Sequence, residues 1–154
     1  MSRLLGRLLP LVLFLDGAAS GMPPPSGAEL DALLAKSDLV VEANVSESPG
    51  GFVNEFRVSW LFRVDHPVLL FGRETLGKDL PVSTGASLQG VHSQGSEPPA
   101  RFGEHVILFL KRPAPARPHE ENAYLTVDPS GLWKYSAELK EAIRSAAARR
   151  SSIK

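Results

Sequence analysis

From Ser37 onward, apolar and polar residues alternate in short runs separated by glycine- and proline-rich breaks, the pattern of strands with one buried face. In "DLVVEANVSE" (Asp38–Glu47), Val41, Ala43 and Val45 share one face, and Leu39-Val40 makes the start apolar on both. "SPGG" (Ser48–Gly51) predicts a turn. In the run from Phe52 to Val64, Phe52, Phe56, Val58, Trp60, Phe62 and Val64 fall on one face, opposite Glu55, Arg57, Ser59 and Arg63. This predicts one long half-buried strand in a hairpin with its predecessor. "HPVLLFGRETLGKDLPVSTG" predicts a bend and then a third strand around Leu80–Ser83. "RFGEHVILFLKR" turns at Phe102-Gly103-Glu104 and then runs apolar without a break from Val106 to Leu110. That predicts a strand, Glu104–Lys111, buried on both faces. "AYLTV" and "GLWKYS", separated by Asp128-Pro129-Ser130-Gly131, predict a closing hairpin.

Helical spacing occurs only at the two ends. Leu30, Leu33 and Leu34 follow Ser26 and Glu29, which fit a capping box. Leu139, Ile143, Ala146 and Ala147 follow Ser136, a fitting N-cap, and Arg149 and Arg150 suit the C-terminal dipole. The segments between strands, Ala86–Ala100 (with a short strand admitted at Ser87–Val91) and Pro113–Asn122, read as loops. The expectation is a mainly β protein: a small antiparallel OB-like barrel of five or six strands with a short N-terminal and a C-terminal helix. Closure removes exposed edges from strands this short; an open sheet covered by the helices is the alternative.

Composition narrows the chemistry. The apolar fraction is 43% and the charged fraction 22%, ordinary for a folded domain. The formal net charge is zero, so no global field draws in nucleic acid or a membrane surface. There is no cysteine, which excludes disulfides, thiol catalysis and thiolate metal sites. The N-terminus has the form of a secretory signal: Arg3 and Arg7, the apolar run Leu8–Leu15, then small residues with Ala18 and Ser20 at the recognition positions. The run is too short to span a bilayer, which needs roughly twenty apolar residues. The expected organisation is a signal peptide over 1–20, an extended leader over 21–27, one barrel domain with flanking helices over 28–148, and a basic tail over 149–154. Secretion or a periplasmic location follows, with no transmembrane segment after cleavage.

Three stretches, "SDLVVEANVSE", "ARFGEHVILFLKR" and "YLTVDPSGLWKY", together with the alternating strand ending in "LFRV", resemble exported bacterial proteins. These are similar to the netrin-like, metalloproteinase-inhibitor-like OB barrels. The matching positions are Asp38 to Val41, then Phe102, Gly103, Glu104, Leu108, Phe109 and Leu110, then Tyr124, Gly131 and Trp133, within Ser37–Ser136. The resemblance implies a fold and no catalytic residue. Inhibitors of that fold chelate a target's zinc through an N-terminal cysteine, which this chain lacks, so that mechanism is not implied.

The remaining motifs argue against chemistry. His66, His92, His105 and His119 show no i, i+4 pair, so no metal site and no cofactor are expected, and turn or surface positions are. There is no G-x-S-x-G elbow and no Ser-x-x-Lys motif. "GRETLGK" lacks the spacing and the Ser/Thr of a phosphate loop. Phe52, Phe56, Trp60 and Phe62 share a face with aliphatic residues, so they read as core rather than as a nucleic-acid platform. No catalytic residue is expected and an enzyme is disfavoured. The expected role is an exported, non-enzymatic binding or envelope-associated module, its partner a protein or cell-envelope component and not nucleic acid. Function concentrates on loops carried by a rigid scaffold, so the candidate binding residues are Gln89, His92, Gln94 and Arg101. The alternative is an enzyme or protease inhibitor whose site assembles only on folding. A convergent His–carboxylate cluster, such as His92 near Glu97 or Glu104, would favour the enzyme.

Overall fold

The computed structural model describes residues 23–54, 57–87, 99–113, 122–127 and 131–152. In chain order they form α1 (Gly27–Lys36), β1 (Leu39–Val45), β2 (Gly50–Asn54), β3 (Arg57–Phe71), β4 (Asp79–Ser87), β5 (His105–Lys111), β6 (Tyr124–Thr126), β7 (Leu132–Lys134) and α2 (Ala137–Ser151). β1 pairs with β3 along one edge and with β5 along the other. β3 pairs with β4, β4 with β6, and β6 with β5. The ring β1-β3-β4-β6-β5-β1 is therefore a closed five-stranded barrel, to which β2 adds on β3 and β7 on β5. The expected OB-like architecture with two flanking helices is the observed one. The pairing of β4 with β6 is parallel; the others are antiparallel.

The unbroken apolar run of β5 has a direct cause. Val106, Leu108 and Leu110 enter the barrel interior with Leu39, Val41, Ala43 and Val45 of β1, Phe62 and Val64 of β3, and Leu80 and Val82 of β4. The alternate residues Ile107 and Phe109 face outward beside Val40 and are covered by Leu30, Leu33 and Leu34 of α1 and Leu139, Ile143 and Ala146 of α2. All five residues from Val106 to Leu110 are 0% exposed. Full burial is worth about 1.5–3 kcal/mol for each large aliphatic or aromatic side chain, so β5, shared by two apolar layers, is the principal stabilising strand.

Four local expectations are corrected. The run from Phe52 to Val64 is two strands: β2 folds back on β3 with Gly50 opposite Leu61, Phe52 opposite Ser59 and Asn54 opposite Arg57. Position 52 thus lies in the row of Ser59 and not in that of Trp60 and Phe62, and the glycines of "SPGG" belong to β2. The pairing of this region with β1 does occur, through Val64 opposite Val45.

At His66-Pro67 the chain does not end its strand. β3 parts from β4, with the His66 N–H donating to the Lys78 carbonyl at 3.0 Å, and continues along β1 to Phe71. Two residues there, His66 (φ 48°) and Pro67, stand against Ala43 alone, a β-bulge that lets a proline without an N–H stay inside the strand.

The closing hairpin is instead one interrupted strand. β6 pairs with the end of β5 and β7 with its beginning. Between them, Val127 donates its N–H to the Phe109 carbonyl (2.9 Å) while Phe109 donates to the Gly131 carbonyl (2.8 Å). Residues on either side of 128–130 thus share one partner on β5. Gly131 is required because a Cβ there would stand 2.5 Å from both the N and O of Val127.

Lastly, Ser26 is the N-cap of α1, but its side chain makes no capping bond. Ser136 caps α2 as expected, accepting from the Leu139 N–H at 3.0 Å. α2 continues to Ser151, so Arg149 and Arg150 lie in its last turn, where Arg150 also donates to the Asp31 carbonyl of α1 at 2.7 Å.

Candidate functional site

Residues 88–98 lie outside the described residues; from Ala100, which is buried in the barrel interior, the chain turns sharply into β5. Four hydrogen bonds hold the turn. Glu104 donates its N–H to the Arg101 carbonyl (3.0 Å), and its carboxylate accepts from the Arg101 N–H (3.0 Å). Gly103 donates to the Val45 carbonyl (2.8 Å), and Val45 donates to that of Glu104 (2.9 Å). Gly103 has φ 82°, a conformation in which a side chain is strained. The turn is therefore fixed to the end of β1, and it carries Phe102 outward with 69% of its surface exposed. Arg101, also exposed, is the one candidate binding residue within the described structure. Gln89, His92 and Gln94 lie outside the described residues.

Directly after the turn, β5 opens with His105, and here ionisable side chains from three elements meet. His105 stands opposite Asn44 of β1, which brings its Nε2 to 3.0 Å from Glu42 Oε1, two residues along the same outer face. Lys140, in the first turn of α2, places Nζ 2.7 Å from Glu42 Oε2. Tyr135, whose N–H donates to the His105 carbonyl (2.9 Å), stacks its ring on the imidazole at 4.0 Å and 10°. The Lys140 ammonium lies 5.9 Å from the centre of the same ring. The Glu42 side chain is only 12% exposed and His105 is 40% exposed. Burial of a carboxylate in an apolar setting is expensive unless cations compensate it, and Glu42 has two cationic or protonatable partners. The arrangement ties α2 to the barrel wall and fixes the imidazole in one orientation.

His105 is thus a packed member of a cluster rather than a free surface histidine. Glu42 was not singled out by sequence reasoning, although a lone charge inside "LVVEANV" signals an outward position needing a partner. His66 is exposed, with Nδ1 3.5 Å from Asp65; His92 and His119 lie outside the described residues, as does Glu97. Glu104 is engaged by the Arg101 backbone.

A second cluster joins the β3–β4 connection to the far end of β5. Arg112 Nε lies 2.6 Å from Glu74 Oε1, Tyr124 donates its hydroxyl to Glu74 Oε2 at 3.1 Å, and the Arg112 N–H donates to Asp38 at 2.8 Å. Burial, then the hydrogen bond to Glu74, pushes the Tyr124 phenol above its ordinary value. The hydrogen bond to Glu74 and the charge of that carboxylate push the Arg112 guanidinium up as well.

No protein-family profile matches this chain, and no curated protein sequence does. Among the described residues, no three His, Asp or Glu side chains are grouped as a metal site would require. No described helix is long and apolar enough to cross a membrane. Of the aromatic stripe, Phe62 is in the barrel interior and Trp60 is half-buried; Phe56 lies outside the described residues.

Proposed function

We propose that this chain is an exported, non-enzymatic binding module whose contact surface is centred on the Arg101–Glu104 turn and the loop leading into it. The observation that carries the reading is Phe102. A large apolar side chain displayed on a turn held by four hydrogen bonds has little conformational entropy to lose on binding, and rigid aromatic residues beside arginine are the usual energetic centres of protein interfaces. The partner is a protein or a cell-envelope component. Export to the periplasm or beyond is supported by the charged, apolar and small-residue order of the first twenty residues. Kinship with the netrin-like barrels belongs to the same proposal; it is supported by the ring in which the fourth and fifth barrel strands in chain order exchange places.

The test is affinity capture from envelope extracts with wild type, Phe102→Ala and Arg101→Ala. Loss of the same captured component in Phe102→Ala, with the thermal transition unchanged, is the expected result. Undiminished capture by both variants would refute the site. A second reading, an acid–base enzyme, is favoured by the 3.0 Å pairing of Glu42 with His105, since a carboxylate that orients an imidazole is a common part of general-base machinery. The engagement of Glu42 by Lys140 and the stacking of Tyr135 favour an anchoring role for the pair. Substrate-profiling hydrolysis that disappears in His105→Gln would reverse that preference.

A further inference from the structure

The five-stranded ring closes through its shortest member. β3 and β4 run paired from Arg57–Ser87 to Asp65–Asp79, and β1 and β5 from Leu39–Leu110 to Asn44–His105. β6 is three residues long. It meets β4 at Val82–Tyr124 and Ser83–Leu125, and β5 at Leu110–Thr126 and Lys111–Leu125. Its three side chains are half-buried, and the buried residue before it, Ala123, contributes one methyl group. Local opening is easiest where few backbone hydrogen bonds and little apolar surface are lost. On both counts the seam that β6 fills between β4 and β5 is the least secured line of the ring.

The groups around β6 divide into a fixed post and a latch. The β3–β4 connection is anchored at Gly72, where a Cβ would lie 2.8 Å from the Asp38 carbonyl oxygen, and by Leu76, which packs against the barrel interior. Arg112 is anchored by its N–H to Asp38 (2.8 Å), and its guanidinium holds Glu74 at 2.6 Å. β6 reaches this post through the Tyr124 hydroxyl, which donates to Glu74 Oε2 at 3.1 Å. At its other end Val127 is buried and bonded to the Phe109 carbonyl (2.9 Å). We propose that Ala123–Thr126 is a gate in the barrel wall. It leaves its seat as a unit, pivoting at Val127 while the rest of the barrel stays folded, and the Tyr124–Glu74 hydrogen bond is its latch. Opening uncovers Val82 and Leu110, the interior residues that stand opposite β6, and so gives a lateral entrance to the apolar interior.

The chain has no cysteine, so one introduced thiol reports its own exposure. Ala123→Cys places it in the gate and Ala43→Cys in the interior face of β1; both alanines are 2% exposed. With iodoacetamide as the probe, the thiol at position 123 should react at least about tenfold faster than that at position 43. Its rate should depend little on urea, whereas the rate at position 43 should climb steeply, as global unfolding does. Adding Tyr124→Phe, which keeps the ring and removes the hydroxyl, should speed both reactions about tenfold or more, because a hydrogen bond to a charged group is lost in either opening. Adding Ile143→Val, beneath α2, should speed the reaction at position 43 roughly a few-fold and leave that at position 123 unchanged. Equal rates with equal urea dependence, an Ile143→Val effect at position 123, or labelling unaltered by Tyr124→Phe would overturn the proposal. Should a thiol variant fail to fold, amide hydrogen exchange in the wild type reads the same contrast. Amides bonded across β6 should exchange through a urea-independent opening, and those between β1 and β5 through global unfolding; exchange of both sets by global unfolding would equally overturn it.

Discussion

Replacing Gly131 by alanine tests the most unusual element of the barrel, the strand interrupted between Val127 and Gly131. The added methyl group would lie 2.5 Å from Val127 N and O and 2.9 Å from Thr126 Cβ. Two of those atoms are backbone, in a segment bonded to Phe109 on β5, so no rotamer change relieves the contact. Overpacking of this kind costs about 1–3 kcal/mol. Displacing Gly131 also weakens the Phe109 N–H to Gly131 carbonyl bond, worth about 1 kcal/mol. The total is about 2–4 kcal/mol, a large part of the ~5–15 kcal/mol that stabilises a typical domain. For a chain of this size the melting temperature should fall by roughly 5–15 °C. Thermal denaturation followed by circular dichroism measures it, with Gly50→Ala as the control. Alanine at position 50 meets no atom closer than 4.0 Å and should melt at or slightly above the wild type. A Gly131→Ala protein that melts with Gly50→Ala would mean that the two halves of the strand do not converge on Phe109.

Phe109→Ala should destabilise by about 3–5 kcal/mol, since Phe109 is wholly buried between β5 and both helices; a loss below ~1 kcal/mol in urea denaturation would show that the helices do not cover that face. Ser136→Ala should cost about 1 kcal/mol by freeing the Leu139 N–H, and Ser26→Ala, whose hydroxyl caps nothing, should cost less in the same assay. The Tyr124 phenol is held above its ordinary value, so its contribution to stability is complete below the unfolded value of about 10 and is lost as pH rises through the folded one. Ultraviolet titration should therefore find a tyrosine ionising later than a free phenol, and Tyr124→Phe should remove that step and flatten the alkaline fall in melting temperature. A late step that survives in Tyr124→Phe would contradict the assignment.

What the sequence made legible depended on whether a pattern had one physical cause. In β5 a continuous apolar run between a turn and Lys111-Arg112 means burial on both faces, and two apolar layers meet there. Ser136 ahead of a helical stripe has one good use, and it caps α2. Between Phe52 and Val64, alternation has two readings, because no glycine or proline in that run marks where β2 ends and β3 begins. "DPSG" likewise reads as a hairpin turn, yet the register to β5 makes β6 and β7 successive pieces of one edge. The bulge at His66 was masked by Pro67, which signals a break in a strand unless its missing N–H falls where none is needed. The Glu42 cluster was invisible for another reason. Its members are separated along the chain, and only the register of β1 with β5 and the docking of α2 unite them. Arg101 lay within reach of loop reasoning; Phe102 did not, because in sequence it is one more apolar residue preceding a glycine.

The claim that the turn beginning β5 is the contact surface can be tested inside cells. A photo-crosslinking amino acid at position 102 reports what lies against that turn, and one at the exposed position Ser145 of α2 reports background. The account predicts one discrete adduct from position 102, absent from position 145 and lost when Arg101 is also replaced by alanine. No adduct from position 102, or the same adduct from both positions, would contradict it.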